Sequence, residues 1–98
     1  MNTTTYEIDL QFQKVTTAPA ILNDLCMNAA LAIETENLVD AYCNIFIPVS
    51  QRLTIFAEVQ IVNGHTYYYV TSSRNQAAEI QSMSYRQAAS KLEALLAA

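Results

Sequence analysis

The feature that most constrains the fold is an alternation of apolar and other residues that ends at an Asn-Gly pair. Apolar residues occupy every second position from 53 to 61, and Asn63-Gly64 follows closely. Period-two patterning is typical of a strand with one buried face. Asparagine and glycine both tolerate positive φ, so the pair indicates a type I′ turn. The sequence therefore predicts an antiparallel hairpin in which 66–71 returns beside 53–61.

A two-residue turn sets the register of this hairpin and so assigns each side chain to one face of the sheet. Counted from the turn, Val62 lies opposite His65 and Glu58 lies opposite Tyr69. We expect the core face to carry Leu53, Ile55, Ala57, Val59, Ile61, Thr66, Tyr68 and Val70. The opposite face then carries Thr54, Phe56, Glu58, Gln60, Tyr67 and Tyr69.

The N-terminal part of the chain predicts a strand followed by a helix. Apolar and polar residues alternate from Tyr6 onwards, which indicates a strand over roughly 5–15. Thr16 and Thr17 are candidate helix caps. Proline two residues later suits a first helical turn, and an apolar stripe then recurs at helical spacing. We expect this helix to span about 18–35.

The remaining patterns predict a loop, a strand and a final helix. The polar and acidic stretch 34–40 reads as a loop, and 42–49 reads as a strand broken near Pro48, which indicates a sheet edge or a strand end. From about 75 to 98 the chain is rich in helix formers and contains neither glycine nor proline, which indicates a long helix. Ser82-Met83-Ser84 is a candidate interruption of that helix.

These elements predict a single α+β domain spanning 1–98, in the order β-α-β-β-β-α. We expect a three- to four-stranded antiparallel sheet with two helices on one face. A content of 52% hydrophobic and 14% charged residues is typical of a packed fold and not of a disordered chain. The patterns leave open whether the first strand pairs within its own chain or with a neighbour.

Several short segments have a common counterpart. Residues 18–26 (APAILNDLC) open a helix near a proline, and Tyr42 begins a strand after a loop. Further matching positions are Phe56, Val59 and Asn63-Gly64 in the hairpin, and Ser84, Ala88, Leu92 and Leu95 in the final helix. Over residues 18–98 this order resembles a double-stranded-RNA-binding domain, and with the extra first strand it also resembles ribosome hibernation factors. Both resemblances imply RNA binding through basic side chains.

The positions that would contact RNA depart from that family. Its last helix opens with Lys-Lys-x-Ala-Lys, whereas residues 85–89 here are YRQAA, with Arg86 as the single basic residue. Its Gly-Pro-x-His loop is replaced by residues 47–52 (IPVSQR), and Asp24 matches an acidic minor-groove position without basic neighbours. The resemblance therefore implies a related framework in which RNA binding is degenerate or lost.

The charge balance also argues against firm nucleic-acid binding. Five basic residues stand against nine acidic ones, for a net charge of -4. A firm binder neutralises roughly 6–10 phosphates. The basic residues are scattered along the chain, at Lys14, Arg52, Arg74, Arg86 and Lys91. Arg86 and Lys91, on the final helix, are our candidates for a residual nucleic-acid contact.

The open side of the sheet offers a different function. Phe56, Tyr67, Tyr69 and Glu58 share the face that the helices leave uncovered, and Phe46 extends it if Cys43, Ile45 and Ile47 point inward, as does Tyr42. Aromatic residues are enriched at interface hot spots and lysine is depleted there. Ordinary strand propensity is the alternative reading of these tyrosines. Stacking of bases on the rings is a further alternative, which Glu58 disfavours.

Candidate catalytic groups are sparse. His65 is the single histidine and follows the predicted turn, while Cys26 and Cys43 fall on core-facing elements, where buried free thiols are expected. The acidic residues show no paired spacing, and one glycine excludes a phosphate-binding loop. We therefore expect no catalysis, no cofactor and no metal. An enzyme would require a polar pocket around one of these three residues.

The leading prediction is a non-catalytic protein-interaction module that acts as a homodimer or on a larger protein partner. Its acidic charge also suits an inhibitor or adaptor from a phage or other mobile element. The alternative is a degenerate double-stranded-RNA-binding or ribosome-associated protein. The polar residues 1–5 lack the features of a signal peptide, and no apolar run reaches transmembrane length. We expect a cytoplasmic location, in the cell or in a host cell, without membrane contact.

Overall fold

The structure, a computed structural model, describes residues 2–7, 17–73 and 81–98, the first of these segments by its backbone. The elements follow the predicted order. They are β1 (Asn2–Glu7), α1 (Ala18–Glu36), β2 (Asp40–Ser50), β3 (Leu53–Val62), β4 (His65–Ser72) and α2 (Tyr85–Leu96). This confirms the predicted α+β class. Residues 8–15 of the predicted first strand and the start of the predicted last helix lie outside the described residues.

The β3–β4 hairpin forms in the predicted register. Asn63 and Gly64 have φ values of 51° and 80°, as a type I′ turn requires. Val62 pairs with His65, and Glu58 pairs with Tyr69. The sheet order is β1-β2-β3-β4, and β2 pairs antiparallel with β3. The three C-terminal strands of the sheet are therefore antiparallel, as predicted.

β1 pairs within the chain, but it runs parallel to its neighbour β2. The prediction of an all-antiparallel sheet was therefore wrong for β1. Thr5 stands opposite Asn44 and Glu7 stands opposite Phe46, both in parallel register. The reason is the connection. A helix between two adjacent strands returns the chain to the end of the sheet where it began, which makes the strands parallel. The four-stranded sheet is mixed.

Helix α1 begins and ends at recognisable caps. Thr17 is the N-cap, and its Oγ1 accepts a hydrogen bond from the Ala20 amide at 3.3 Å. Asn37 ends the helix in the left-handed conformation, with φ 54°, and its amide donates to the Ile33 carbonyl. Glu34–Glu36 are therefore helical, and Asp40 already belongs to β2. The predicted loop over 34–40 was too long, because the αL cap that ends the helix is Asn37, three residues after the predicted start of the loop.

Helix α2 is shorter than predicted. Residues 81–84 are not helical, since the Met83 amide donates to the Tyr68 carbonyl at 2.9 Å and forms an isolated bridge to β4. Ser84 then caps the helix in a reciprocal capping box with Gln87. The predicted interruption at 82–84 is thus the helix start within the described part of the chain. The helix begins after Ser84 because the Ser84 side chain accepts a hydrogen bond from the Gln87 amide, which would otherwise lack an acceptor.

Both helices pack on the same face of the sheet, as predicted. α1 contacts β2 and β3, α2 contacts β4 and β3, and the helices contact each other. The core consists of alternate strand residues and the inner helix stripes: Ala18, Ile21, Leu22, Leu25, Ala29, Ala41, Cys43, Ile45, Ile47, Ile55, Ala57, Val59, Val70, Ala88 and Leu92. Ile61 and Tyr68 are partly buried against it, whereas Thr66, near the turn, is exposed and does not join the core. The other face of the sheet is left without a described helix.

Candidate interaction surface on the open sheet face

The open face consists of the side chains that alternate with the core positions on β2, β3 and β4. Strand geometry sends successive side chains to opposite faces, and the observed burial alternates accordingly along β3. On β2, Cys43, Ile45 and Ile47 are buried, which places their neighbours on the open face. The open face carries Tyr42, Asn44, Phe46, Thr54, Phe56, Glu58, Gln60, Tyr67, Tyr69 and Thr71. All five predicted interaction residues are on it.

The strand register arranges these side chains in rows across the sheet. Glu58 stands between Asn44 on β2 and Tyr69 on β4. The row on one side has Gln60 between Tyr42 and Tyr67, and the row on the other side has Phe56 between Phe46 and Thr71. A carboxylate therefore occupies the central row, with an aromatic row on each side.

The phenylalanine row is an aromatic pair that water still reaches. The ring centroids of Phe46 and Phe56 lie 5.1 Å apart, with an interplanar angle of 50°. Phe46 nevertheless remains 42% exposed, and Tyr67 in the tyrosine row remains 39% exposed. Aromatic side chains of this size are usually well buried. The edges of the open face therefore keep apolar area in water.

The central row is a polar network around Glu58. Asn44 Nδ2 donates to Glu58 Oε1 at 3.3 Å, and Gln60 Nε2 donates to Glu58 Oε2 at 3.1 Å. Asn44 is only 7% exposed, and its Oδ1 is buried without a hydrogen-bond partner among the described residues. Flipping the amide would set its oxygen against the carboxylate, so Glu58 holds the orientation that leaves Oδ1 unpaired. The network is incomplete on its acceptor side.

Tyr69 borders this network as a neutral phenol. Burial, and then the negative charge of Glu58, raise the pKa of Tyr69 above 10.0, with smaller effects from Tyr42 and Tyr67. Each of these influences disfavours the phenolate. At neutral pH the Tyr69 hydroxyl is therefore protonated and able to donate a hydrogen bond. The face combines a negative carboxylate with neutral aromatic rings.

The two candidate nucleic-acid contacts do not share a face of α2. Arg86 and Lys91 are five residues apart, which at about 100° per residue separates them by about 140° around the helix. Arg86 is exposed, whereas Lys91 is half-buried beside the buried Leu92. Glu93 is exposed seven residues after Arg86, on the same side. These positions do not add up to a basic patch.

The candidate reactive residues lie apart from the open face. His65 is exposed beside the hairpin turn, Cys26 is half-buried on α1, and Cys43 is buried in the core. Within residues 17–73 and 81–98, no three metal-ligating side chains come together. Burial, helped by Glu58, raises the pKa of the Cys43 thiol from 9.0 to about 11. That thiol is a packing group at neutral pH.

We expect the stability of the fold to fall in alkaline solution through Cys43. An acid whose pKa is higher in the folded state holds its proton there, so the contribution is complete below pH 9.0 and is lost as the pH rises towards about 11. The shift corresponds to about 2–3 kcal/mol of unfolding free energy. Urea unfolding across this range should show a shallower decline for Cys43→Ala than for the native chain. Equal slopes would contradict this assignment.

One residue of the surface escaped the sequence patterns. Asn44 is polar and sits in a strand of mostly apolar residues, and nothing in its neighbourhood indicates that it is buried against Glu58. Its pairing depends on the β2–β3 register, which shifts between Pro48 and Ser50. Without that irregularity, the β2–β3 register could have been counted from the turn at 51–52. The count would have placed Asn44 opposite Glu58.

Comparison with known proteins identifies no relative. No family model, no curated protein and no solved structure matches this chain.

Neither described helix is both long and apolar enough to cross a bilayer.

Proposed function

We propose that this chain is a small non-catalytic protein-interaction module that binds its partner through the open face. The observation that carries the proposal is the exposure of Phe46 and Tyr67 on a face that neither described helix covers. Exposed apolar area grouped on one face is typical of protein interaction sites. On the open face this area lies in the two aromatic rows, on either side of Glu58.

The aromatic rows supply the type of side chain that dominates binding energy at interfaces. Phenylalanine and tyrosine bury large areas with few rotatable bonds, and tyrosine is enriched among hot-spot residues. Among the residues of β2, β3 and β4, the open face carries no arginine and no lysine, and lysine is depleted at interface centres. An acidic chain of this size suits an inhibitor or adaptor that occupies a larger protein, including one encoded by a phage or other mobile element.

The two partners expected from the sequence are not equally compatible with Glu58. A two-fold homodimer that buries the centre of the open face would bring two copies of Glu58 close to the symmetry axis. Burying two like charges together is unfavourable because neither carboxylate gains a cation in exchange for water. A different protein is free of this restriction. The geometry therefore favours a different protein as the partner over a second copy of this chain.

Nucleic-acid binding has weaker support. The separation of Arg86 from Lys91 around α2 leaves the framework resemblance as its main argument. Glu58 at the centre of the open face would repel a phosphate backbone.

The interaction is tested by Tyr67→Ser/Tyr69→Ser, compared with Met27→Ser/Leu31→Ser. The control pair removes two exposed apolar side chains from α1, on the other layer of the fold. Affinity capture from the native cell, followed by measured affinity for the captured protein, should show a loss of at least about 30-fold for the tyrosine pair, since one hot-spot residue contributes about 2 kcal/mol. The α1 pair should bind like the native chain.

Thermal unfolding and molar mass in solution complete the test. Both variants should keep the native circular dichroism spectrum, because cross-strand pairs contribute only a few tenths of a kcal/mol to about 1 kcal/mol each. Equal binding by the tyrosine variant and the native chain would refute the open face as the interaction site. A salt-sensitive complex with duplex RNA, weakened by Arg86→Ala, would replace the proposal with its alternative.

A further inference from the structure

The open face holds a carboxylate that no described cation contacts and an amide oxygen that no described group satisfies. Glu58 has only neutral amides as partners among the described residues, and Asn44 Oδ1 has no partner. We propose that the partner places an arginine side chain against Glu58, from a basic segment of a different protein. This inference rests on the proposed function and names the chemistry of the partner at the same surface.

Glu58 retains capacity for a strong donor. A carboxylate offers about four lone-pair sites, and each Glu58 oxygen receives one described amide hydrogen bond, at 3.3 Å and 3.1 Å. Charge-assisted N–H···O bonds are shorter, at about 2.7–2.9 Å, and about twice as strong. A guanidinium presents two parallel N–H groups to both carboxylate oxygens at once. Glu58 would therefore form stronger hydrogen bonds with an arginine than with the Asn44 and Gln60 amides that contact it.

Asn44 points to the same kind of ligand. Its Oδ1 is an unpaired acceptor on a side chain that is more than nine-tenths buried, and leaving such an atom unpaired is unfavourable. Glu58 holds the Asn44 amide in place through Nδ2, so the unpaired oxygen belongs to the same cluster. A guanidinium carries five N–H donors and can serve a carboxylate and a neighbouring carbonyl together. Because Oδ1 is enclosed, its neighbours must shift slightly to admit the donor.

The aromatic side chains complete a binding site for a flat cation. Tyr69 stands directly opposite Glu58, and Tyr42 and Phe46 flank Asn44 on β2. Cross-strand neighbours lie about 5 Å apart and diagonal neighbours about 7–8 Å apart, within reach of an aromatic ring. Guanidinium groups stack on such rings more readily than ammonium groups do. The surroundings therefore select arginine over lysine.

Charge complementarity supports a basic partner. The chain has a net charge of -4, and the open face carries Glu58 with no lysine or arginine among its residues on β2, β3 and β4. Opposite charge speeds encounter and disfavours acidic partners. A second copy of this chain would bring another Glu58 to the same place, and a nucleic acid would bring phosphates. Both put like charge against the carboxylate.

The test titrates a blocked peptide with two arginines, as the probe, into the 98-residue chain. Amide NMR spectra report on the site directly, because the side-chain NH₂ groups of Asn44 and Gln60 both contact Glu58. We expect saturable shifts in those two groups and in the backbone amides of the open face. The same peptide with citrulline in place of arginine keeps the shape without the charge and should bind about tenfold more weakly or worse.

Glu58→Gln and Glu93→Gln separate a specific site from general attraction to an acidic protein. Both remove one negative charge, but Glu93 is exposed on α2. Glu58→Gln should weaken the arginine peptide about tenfold, the value of a hydrogen bond to a charged group, while Glu93→Gln should not. Equal binding of arginine and citrulline peptides, equal effects of the two substitutions, or an absence of saturable shifts would each overturn the inference.

Failure of this inference can be told apart from failure of the proposed function. If Tyr67→Ser/Tyr69→Ser abolishes association with the native partner but Glu58→Gln does not, the open face is an interaction surface with a different occupant, and the arginine site is refuted. A homodimer through the open face would likewise refute the arginine site and keep the interaction surface. If neither set of substitutions affects association, both proposals fail together.

Discussion

Val59→Lys is expected to remove a large part of the stability of the fold. Val59 is fully buried on the core face of β3, beneath α1 and within the cluster that joins the sheet to both helices. A lysine there must bury its ammonium group without a carboxylate in the described core, or displace a helix. We expect a cost of about 4 kcal/mol or more, a large part of the roughly 5–15 kcal/mol available to a small domain. A urea transition with a much lower midpoint than that of the native chain would show it.

Gln60→Lys is the matched control on the other face. Gln60 is the next residue along the same strand, half-buried on the open face beside Glu58. Lysine there reaches water and gains a neighbouring carboxylate, so its unfolding free energy should stay within about 1 kcal/mol of native. If both variants fold equally well, the assignment of the two faces of the sheet is wrong.

Leu22→Ala is the second substitution with a large expected effect. Leu22 is fully buried on the inner stripe of α1 and belongs to the main core cluster. Removing its side chain loses apolar burial and leaves a cavity, which together cost about 3–5 kcal/mol in a well-packed core. The urea midpoint should fall accordingly while the m-value is unchanged.

Leu31→Ala provides the comparison within the same helix. Leu31 is 54% exposed on the outer side of α1, so the same chemical change removes little buried area. Alanine is also the better helix former, and we expect a change within about 0.5 kcal/mol. A loss at Leu31 as large as that at Leu22 would mean that the outer side of α1 packs against something, in the chain or in a second copy.

The hairpin and the first helix were predictable because their signals are local. Asn63-Gly64 adopts positive φ at both positions, and a two-residue turn leaves one register for β3 and β4. Every face assignment on those strands follows from that register and the period of two, apart from Thr66, which lies too near the turn to be covered. The start of α1 is likewise marked by local contacts, because Thr17 caps the amide of a residue three positions later and a proline lies in the first turn.

The errors lie where two local signals compete or where distant segments meet. Residues 81–84 have helix-compatible composition, but Met83 pairs with Tyr68 and Ser84 prefers to cap the helix. The direction of β1 was missed because a period of two describes parallel and antiparallel strands alike. Only the crossover through α1 decides between them.

The sequence by itself determined which side chains of β3 and β4 share a face, and so it placed Phe56, Glu58, Tyr67 and Tyr69 on one surface. That assignment needs only strand period and one turn, both of which are short-range properties of the chain. The tertiary structure decided that Asn44 stands beside Glu58 and keeps an unpaired oxygen. This depends on the β2–β3 pairing across a bulge and on packing that encloses Asn44, which are long-range relations that no local pattern encodes.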